Sequence, residues 1–552
     1  MKKMILAICM AALSAITYAA TPADYRQVVP LPQSVTTVKG APFVLNAGTT
    51  ISYTPAHADM ARNAAFLAQY VDDMTHLRLA VAEGKGTKGD IRLVLNPKLK
   101  GTASERYQVT VGAKGIVVTG ATPAGVFYGI QTLRKALPVL DAADEVTLPA
   151  AVITDAPRFG YRGMHLDCSR HFFPVAFVKQ YIDMLALHNM NRFHWHISDD
   201  QGWRFVVEQC PRLIEVGAWR DGTVLGRNSE VQDDIRYGGY YTDDEIRDII
   251  RYAADRYITI IPEVDMPGHM MAALAAYPEL GCTGGPYETG RYWGVYPDIL
   301  CAGNAKTYDF VQTVLDKVCQ LFPSEYIHIG GDESPRVRWE HCPKCQAVIA
   351  REGLVAKGGE SKEAMLQGYF TRRVQHYLES KGRKIIGWDE LLGCDVDTTA
   401  TIMSWRGEEP GAKGATLGHD VIMSPQSHLY FDHYQSKQVN TEPPGIGGFS
   451  DVEKVYSLEP VAPTLTPVAK AHIIGVQANL WTEYIGSTNH AEYMVLPRMG
   501  ALAEVQWLQP EAKDFEAFKL RLDHLRRIYE RYGWHYAHHL WPEEFRKVAK
   551  MY

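Results

Sequence analysis

Long apolar runs are missing from this 552-residue sequence. The one near the N-terminus, Met4 to Ile16, is too short to cross a bilayer, so no transmembrane segment is expected. It follows Met1-Lys2-Lys3 and leads into Thr17-Tyr18-Ala19-Ala20. A basic start, a short apolar centre and small residues at the cut describe a secretory signal over residues 1–20. The protein is therefore expected to be exported, to the periplasm, the cell surface or the medium. Ile8 before Cys9 is a poor match to a lipidated cysteine, and no lipid anchor is expected. Charge of one sign is also missing, with 57 Lys and Arg against 63 Asp and Glu, which leaves no footprint for nucleic acid. No short-period repeat is present, which excludes a solenoid. Cysteine is scarce: nine residues, eight of them beyond the signal. Cys282 and Cys301 flank a loop rich in Gly, Pro and Tyr, a reasonable disulfide in an oxidising compartment. Cys342-Pro-Lys-Cys345 has neither a second CxxC nor a compact His pair after it. A local disulfide or two reduced thiols is expected there rather than zinc, which needs four ligands.

What remains is ordinary globular composition, 46% hydrophobic and 22% charged, over a length that calls for two or three domains. Aromatics make up 11%, including 11 Trp and 30 Tyr. From 21 to 157 short alternating runs such as Tyr107–Val111 and Gly115–Gly120 are bounded by Gly, Asn and Pro. Two stretches, 58–77 and 123–137, have helical spacing. This is a small α+β domain with no reactive constellation, read as a support. From 158 to 510 apolar strands alternate with amphipathic helices. The strands are Arg162–Cys168, Arg192–Ile197, Ile258–Val264, Tyr326–Ile329, Lys384–Trp388, Thr401–Trp405, Asp420–Met423 and Gly475–Leu480. The clearest helices are 175–188, 242–256, 306–321 and 361–381. Eight such strands give the count for an α/β fold of the (β/α)8, or TIM-barrel, type. Residues 511–552 form a helical tail, expected to pack on the barrel.

In such a barrel the working face lies at the C-terminal strand ends. Here those ends read Asp167-Cys-Ser-Arg170-His171, His196-Ile-Ser-Asp199-Asp200, Glu263-Val-Asp-Met-Pro-Gly-His269, Gly330-Gly-Asp332-Glu333, Trp388-Asp-Glu390, Trp405-Arg-Gly407 and Trp481-Thr-Glu483. Seven polar or aromatic endings on one rim make an active site. Asp332 and Glu333 are the centre of it. Neighbours in a regular strand point to opposite faces, so both can enter one pocket only if the backbone leaves strand geometry, and Gly330-Gly331 allow that. Like charges side by side raise one pKa, which keeps a carboxyl group protonated as an acid. Trp388, Trp405 and Trp481 suit the flat faces of a sugar. Arg170, Asp199, Asp432 and Glu483 can bind its hydroxyls. Glycosidases ordinarily set two carboxylates on opposite sides of the scissile bond, ~5–5.5 Å apart for retention or ~6.5–9.5 Å for inversion. Sequence neighbours approach from one side, which fits the exception in which the 2-acetamido oxygen of the substrate is the nucleophile.

The strand-end motifs resemble glycoside hydrolase family 20, the β-N-acetylhexosaminidases. The resemblance rests on Arg162-Gly-Met-His-Leu-Asp-Cys-Ser-Arg170, His194-Trp-His-Ile-Ser-Asp199-Asp-Gln-Gly-Trp-Arg204, Pro262-Glu-Val-Asp-Met-Pro-Gly-His269, His328-Ile-Gly-Gly-Asp-Glu333, Gly387-Trp-Asp-Glu390 and Trp481-Thr-Glu483, in the family's order. The 21–157 segment is similar to the family's small domain. The resemblance implies Glu333 as acid and base, Asp332 as the group orienting the acetamido N–H, and Tyr430 as donor to the acetamido carbonyl, with Tyr434 four residues on. It implies Arg170 and Glu483 at O3 and O4, Asp432 near O6, the three tryptophans around the sugar, and Asp199 and His269 as a polar chain behind the acid. The implied partner is a glycan or chitooligosaccharide ending in β-N-acetylhexosamine; no cofactor or metal is implied. GlcNAc and GalNAc are not distinguished, the oligomeric state is not set, and a lacto-N-biosidase or sulfated-sugar specialist would share most of the rim. Two other classes compete with this reading. A metallohydrolase would use His194, His196 and His269 but needs further His and Lys ligands at later strands, which are missing. A non-catalytic sugar-binding protein would have lost the acid.

Overall fold

The computed structural model describes residues 22–543, apart from 56, 100–103 and 228. The expected signal segment lies outside the described residues. Eight parallel strands close into a barrel: β1 (Tyr161–Asp167), β2 (Arg192–His196), β3 (Thr259–Glu263), β4 (Tyr326–His328), β5 (Lys384–Trp388), β6 (Thr401–Ser404), β7 (Val421–Met423) and β8 (Ile473–Ala478). Each falls within two residues of its expected bounds. β8 pairs with β1 through Gly475 opposite Tyr161, which closes the ring.

Period-two alternation explains what fills the barrel. In β2, Phe193 and Trp195 face the surrounding helix layer, while the rings of His194 and His328 stack inside, 4.4 Å apart. Tyr161, Ile261, Ile386, Met403 and Ile422 form an apolar layer in the interior, separate from the helix-side core. The inward positions closer to the rim are polar, which is why the strand ends carry the chemistry. The helices Val175–Leu187, Asp243–Ala254, Ala305–Leu321 and Lys362–Ser380 occur where their spacing predicts. The second starts at a capping box: Thr242 accepts from the Glu245 N–H, and Glu245 reaches back to the Thr242 N–H.

The small domain is a seven-stranded mixed sheet in the order 34–37, 151–155, 107–112, 115–120, 91–95, 50–53, 80–83. The helices Asp59–Thr75 and Pro123–Ala136 pack on it. Ser34–Thr37, Ala80–Glu83, Glu145–Leu148 and Ala151–Asp155 are strands that the sequence pattern does not reveal. They are four or five residues long, and Ala80–Glu83 is an exposed edge with no alternation in burial. The domain grips the bottom of the barrel. Buried Arg162, at the start of β1, binds Glu105 at 2.6 Å and the Tyr128 hydroxyl at 2.9 Å. Trp507 donates its indole N–H to Asp155 at 3.0 Å. The rim is left free for ligand.

The tail helix Phe515–Tyr532 touches both units. Arg521 pairs with Glu504 of the barrel-side helix Arg498–Trp507, and the Tyr532 hydroxyl donates to Asp73 of the small domain. Helices Val337–His341 and Pro343–Arg351 occupy the stretch after β4. Among the described residues no helix is long and apolar enough to cross a membrane.

Candidate active site

After β4 the backbone leaves strand geometry. Gly330, Gly331 and Glu333 all have positive φ, at 65°, 97° and 42°. Gly330 is sterically fixed as well, because a Cβ there would stand 1.7 Å from Asp265 Oδ1. The Gly331 N–H donates to that same oxygen at 3.0 Å, and Gln367 donates to the Gly331 carbonyl at 2.7 Å. Asp332 and Glu333 are thereby turned to one side, which is what the glycine pair predicts.

Their proton affinities then diverge. Burial and the neighbouring Asp265 push the Asp332 carboxyl well above the usual carboxylate range. Asp265, raised to about 8 chiefly by burial, is hydrogen-bonded to it. Glu333 goes the other way: its contact with His269 lowers it, against the effect of partial burial. Sequence reasoning expects adjacency to raise the acid; in the free protein the raised member is Asp332. The reason is the deeper burial of Asp332 and its neighbour Asp265, which outweigh His269, whose Nε2 lies 3.7 Å from Glu333 Oε2 and 3.8 Å from Asp332 Oδ2. Burial disfavours charge on that imidazole, but Asp199 and Asp200 outweigh it and keep it protonated. Its Nδ1 stands 3.2 Å from Asp199 and 3.1 Å from Asp200.

Behind His269 a polar chain runs into the barrel. Asp199 faces the Arg170 guanidinium at 3.0 Å and His196 Nε2 at 2.8 Å. His196 Nδ1 meets Glu263, the carboxylate at the end of β3. Nitrogens of His194 and His328 lie 2.9 Å from Glu263, and the Trp388 indole donates to it at 3.1 Å. Burial would raise Glu263, but the imidazoles around it hold it well below the usual range. Of the histidines that suggested a metallohydrolase, His194 and His196 face Glu263, and His269 faces Asp199 and Asp200.

The cleft above has a volume of about 510 Å³. Trp405, Trp481 and Tyr430 form its apolar walls, with Tyr430 stacked on Trp405 at 6.0 Å between ring centroids. Glu390 fixes Trp405 by accepting its indole N–H at 3.0 Å. Trp388, expected as a third wall, is buried beneath, 5.8 Å from Trp481. Tyr434 is engaged elsewhere, donating to the Gly445 carbonyl at 3.2 Å, which leaves Tyr430 as the tyrosine facing the cleft. Arg170 lies over Trp481, 5.0 Å from its ring, and lines the cleft together with Glu483. Asp332 Oδ1, Asp432 Oδ1 and Glu483 Oε2 are buried with no hydrogen-bond partner. Buried polar atoms are seldom left so, and three of them lining one cleft await the hydroxyls and amide of a ligand. Arg227, Trp293, His433 and Tyr484 also line the cleft. Sequence reasoning missed Arg227 and Trp293 because they sit in long connections; His433 and Tyr484 directly follow Asp432 and Glu483, with no pattern to show which way they point.

A closed parallel barrel, a carboxylate pair at its rim and an aromatic cleft lined with unsatisfied acceptors define a glycoside-hydrolase site. Residues 159–510 match the model of the glycosyl hydrolase family 20 catalytic domain, and 25–156 match domain 2 of the same family. The chain belongs to glycosyl hydrolase family 20. It is 39% identical over 505 residues to a beta-hexosaminidase of Porphyromonas gingivalis, a match covering 90% of this chain and 62% of that one. The chain thus spans about three fifths of that relative's length. A beta-hexosaminidase of Vibrio furnissii is 38% identical over 492 residues, covering 88% of this chain and 77% of its own. The solved GH20 beta-N-acetylhexosaminidase of Streptomyces coelicolor superposes with a TM-score of 0.79 at 33% identity, covering 94% of this chain and 98% of that one.

Proposed function

We propose that this protein, after export, removes terminal β-linked GlcNAc or GalNAc from glycans or chitooligosaccharides, with retention and by substrate-assisted catalysis. The observation that carries the reading is the set of unpartnered acceptors, Asp332 Oδ1, Asp432 Oδ1 and Glu483 Oε2, around one aromatic cleft beside Glu333. Arg170 and Glu483 would hold O3 and O4 of the terminal sugar and Asp432 its O6, which closes the cleft behind a single residue. The sugar would lie against Trp481 and Trp405. The Tyr430 hydroxyl would donate to the acetamido carbonyl and aim its oxygen at C1.

In the first step Glu333 gives its proton to the glycosidic oxygen, the C1–O bond breaks, and the acetamido oxygen bonds to C1. Positive charge develops on the resulting oxazolinium, and Asp332 balances it while accepting the acetamido N–H. Burial and Asp265 favour the protonated form of Asp332, and His269, which lowers it, favours the ionised form this step needs. Glu333 then takes a proton from water as its oxygen attacks C1, the bond between C1 and the acetamido oxygen breaks, and the acid and the acetamido group are both restored. Filling the cleft removes water from Glu333, and desolvation raises a carboxyl pKa towards what an acid needs. Supporting the exo reading, the solved exo beta-N-acetylglucosaminidase of Vibrio harveyi, bound to N-acetylglucosamine, superposes with a TM-score of 0.81 at 30% identity.

Digesting a chitooligosaccharide labelled at its reducing end tests this. Single GlcNAc units are expected to leave from the unlabelled end, shortening the labelled chain one residue at a time. Internal fragments, or release of intact disaccharides, would overturn the exo reading.

His269 supplies a pH test. Its positive charge lowers both Asp332 and Glu333. Removing it in His269→Gln lets both carboxyls bind their protons more tightly, so both limbs of the kcat/KM profile move to higher pH. A profile that stays in place, or moves to lower pH, would remove His269 from this role.

A further inference from the structure

The four cysteines expected to form two separate pairs are gathered into one cluster. Cys282 and Cys301 follow β3; after β4, Cys342 lies between the two helices and Cys345 within the second. All four Sγ atoms lie within 4.8 Å of one another, and none is in a disulfide. Cys301 Sγ is 3.7 Å from both Cys342 and Cys345, and Cys282 Sγ is 3.9 Å from Cys345. Two disulfides would single out two partners, but Cys301 is equidistant from two. These spacings suit a different chemistry. A tetrahedral thiolate site with Zn–S of ~2.3 Å has S···S edges of ~3.8 Å.

We propose that Cys282, Cys301, Cys342 and Cys345 together hold one zinc ion as a closed, structural site of four thiolates. The sequence argued against zinc because the CxxC has no second ligand pair nearby in the chain; the barrel supplies that pair from the preceding rim loop. The surroundings suit such a site. Cys301 and Cys345 are fully buried, Cys342 nearly so, and Cys282 partly exposed. Gly303 must be glycine, since a Cβ would stand 2.3 Å from Cys345 N and 2.1 Å from Lys344 C. The two knuckles are therefore packed backbone to backbone. Four thiolates with no fifth donor in the group leave no open position, so the ion would not take part in hydrolysis.

What the ion would do is fix a wall of the cleft. Cys282 and Cys301 stand at the two ends of the 283–300 loop, closed by the bridge between Gly281 and Leu300. That loop carries Trp293 and Val295 to the cleft. Cys342 and Cys345 follow shortly after Asp332 and Glu333, and Trp339 donates to the Leu300 carbonyl at 3.0 Å. One metal would tie the loop bearing Trp293 to the segment bearing the acid.

The full-length protein, purified without chelator, should contain about one zinc per chain by elemental analysis. Titration with an organomercurial should release that zinc in step with four thiols. Cobalt exchanged into the site should give the intense visible bands of a tetrahedral thiolate complex. The Cys342→Ser/Cys345→Ser double variant should lose the metal and melt at a lower temperature. Should that variant fail to fold, the wild-type titration and the cobalt spectrum decide. Zinc far below one per chain after zinc-replete expression, zinc retained in a folded double variant, or recovery of the four cysteines as disulfide-linked peptides would each overturn the proposal.

Discussion

Glu333→Gln is expected to cleave a GlcNAc glycoside with a sugar leaving group about 10²–10⁴-fold more slowly than wild type, the range a positioned acid–base group contributes. KM should stay within a few-fold. Glutamine keeps the shape of the side chain and can still meet His269, but it neither gives nor takes the proton. Sugar alkoxides are poor leaving groups, so the first step suffers most with them. An aryl glycoside, whose leaving group departs with little protonation, should lose less in that step and accumulate intermediate before the slow attack of water. The difference between the two leaving groups isolates proton transfer from any general damage. A variant within a few-fold of wild type on the sugar glycoside would place the acid elsewhere.

Asp332→Asn should lose about 10²–10³-fold in kcat, the effect of removing one preorganised group aimed at developing charge. Its carbonyl can still accept the acetamido N–H, so KM should change little. What it lacks is the negative charge needed only as the oxazolinium forms. A thiazoline that mimics the bicyclic intermediate should therefore lose affinity in the variant by a similar factor. Stability provides the control. Asp332 is buried beside Asp265 and its pKa is raised, so the folded state resists its ionisation near neutral pH. The neutral amide is then at least as stable as wild type, and the lost rate reads chemistry. Equal loss of rate and of substrate affinity would assign Asp332 to ground-state binding instead.

The barrel was legible because its strands obey one rule throughout: apolar runs that end in chemistry. Gly330-Gly331 announced the turn of Asp332 and Glu333, and the structure gives the reason in the Asp265 oxygen that excludes a Cβ. Short edge strands such as Ala80–Glu83 were not legible, since an exposed edge carries no burial pattern. Trp388 shows another limit: a strand end fixes the layer a side chain occupies, not whether another tryptophan lies above it. Trp293 and Arg227 reach the cleft from long connections, where no periodicity predicts direction. The direction of the pKa shift at Glu333 depends on His269, far earlier in the chain, and the cysteine cluster likewise unites residues from two loops. Both are properties of the closed barrel rather than of any local pattern.

The central claim is that adjacency of Asp332 and Glu333 leaves the nucleophile to the substrate's acetamido group. Hydrolysis of a chromogenic β-glucosaminide series bearing acetyl, fluoroacetyl, difluoroacetyl and trifluoroacetyl groups on nitrogen tests it most directly. Fluorine withdraws electrons from the carbonyl oxygen and changes its size little. If that oxygen attacks C1, kcat/KM falls steeply with each fluorine added. A series whose kcat/KM stays flat would mean that a protein carboxylate or water attacks C1, and would contradict the account.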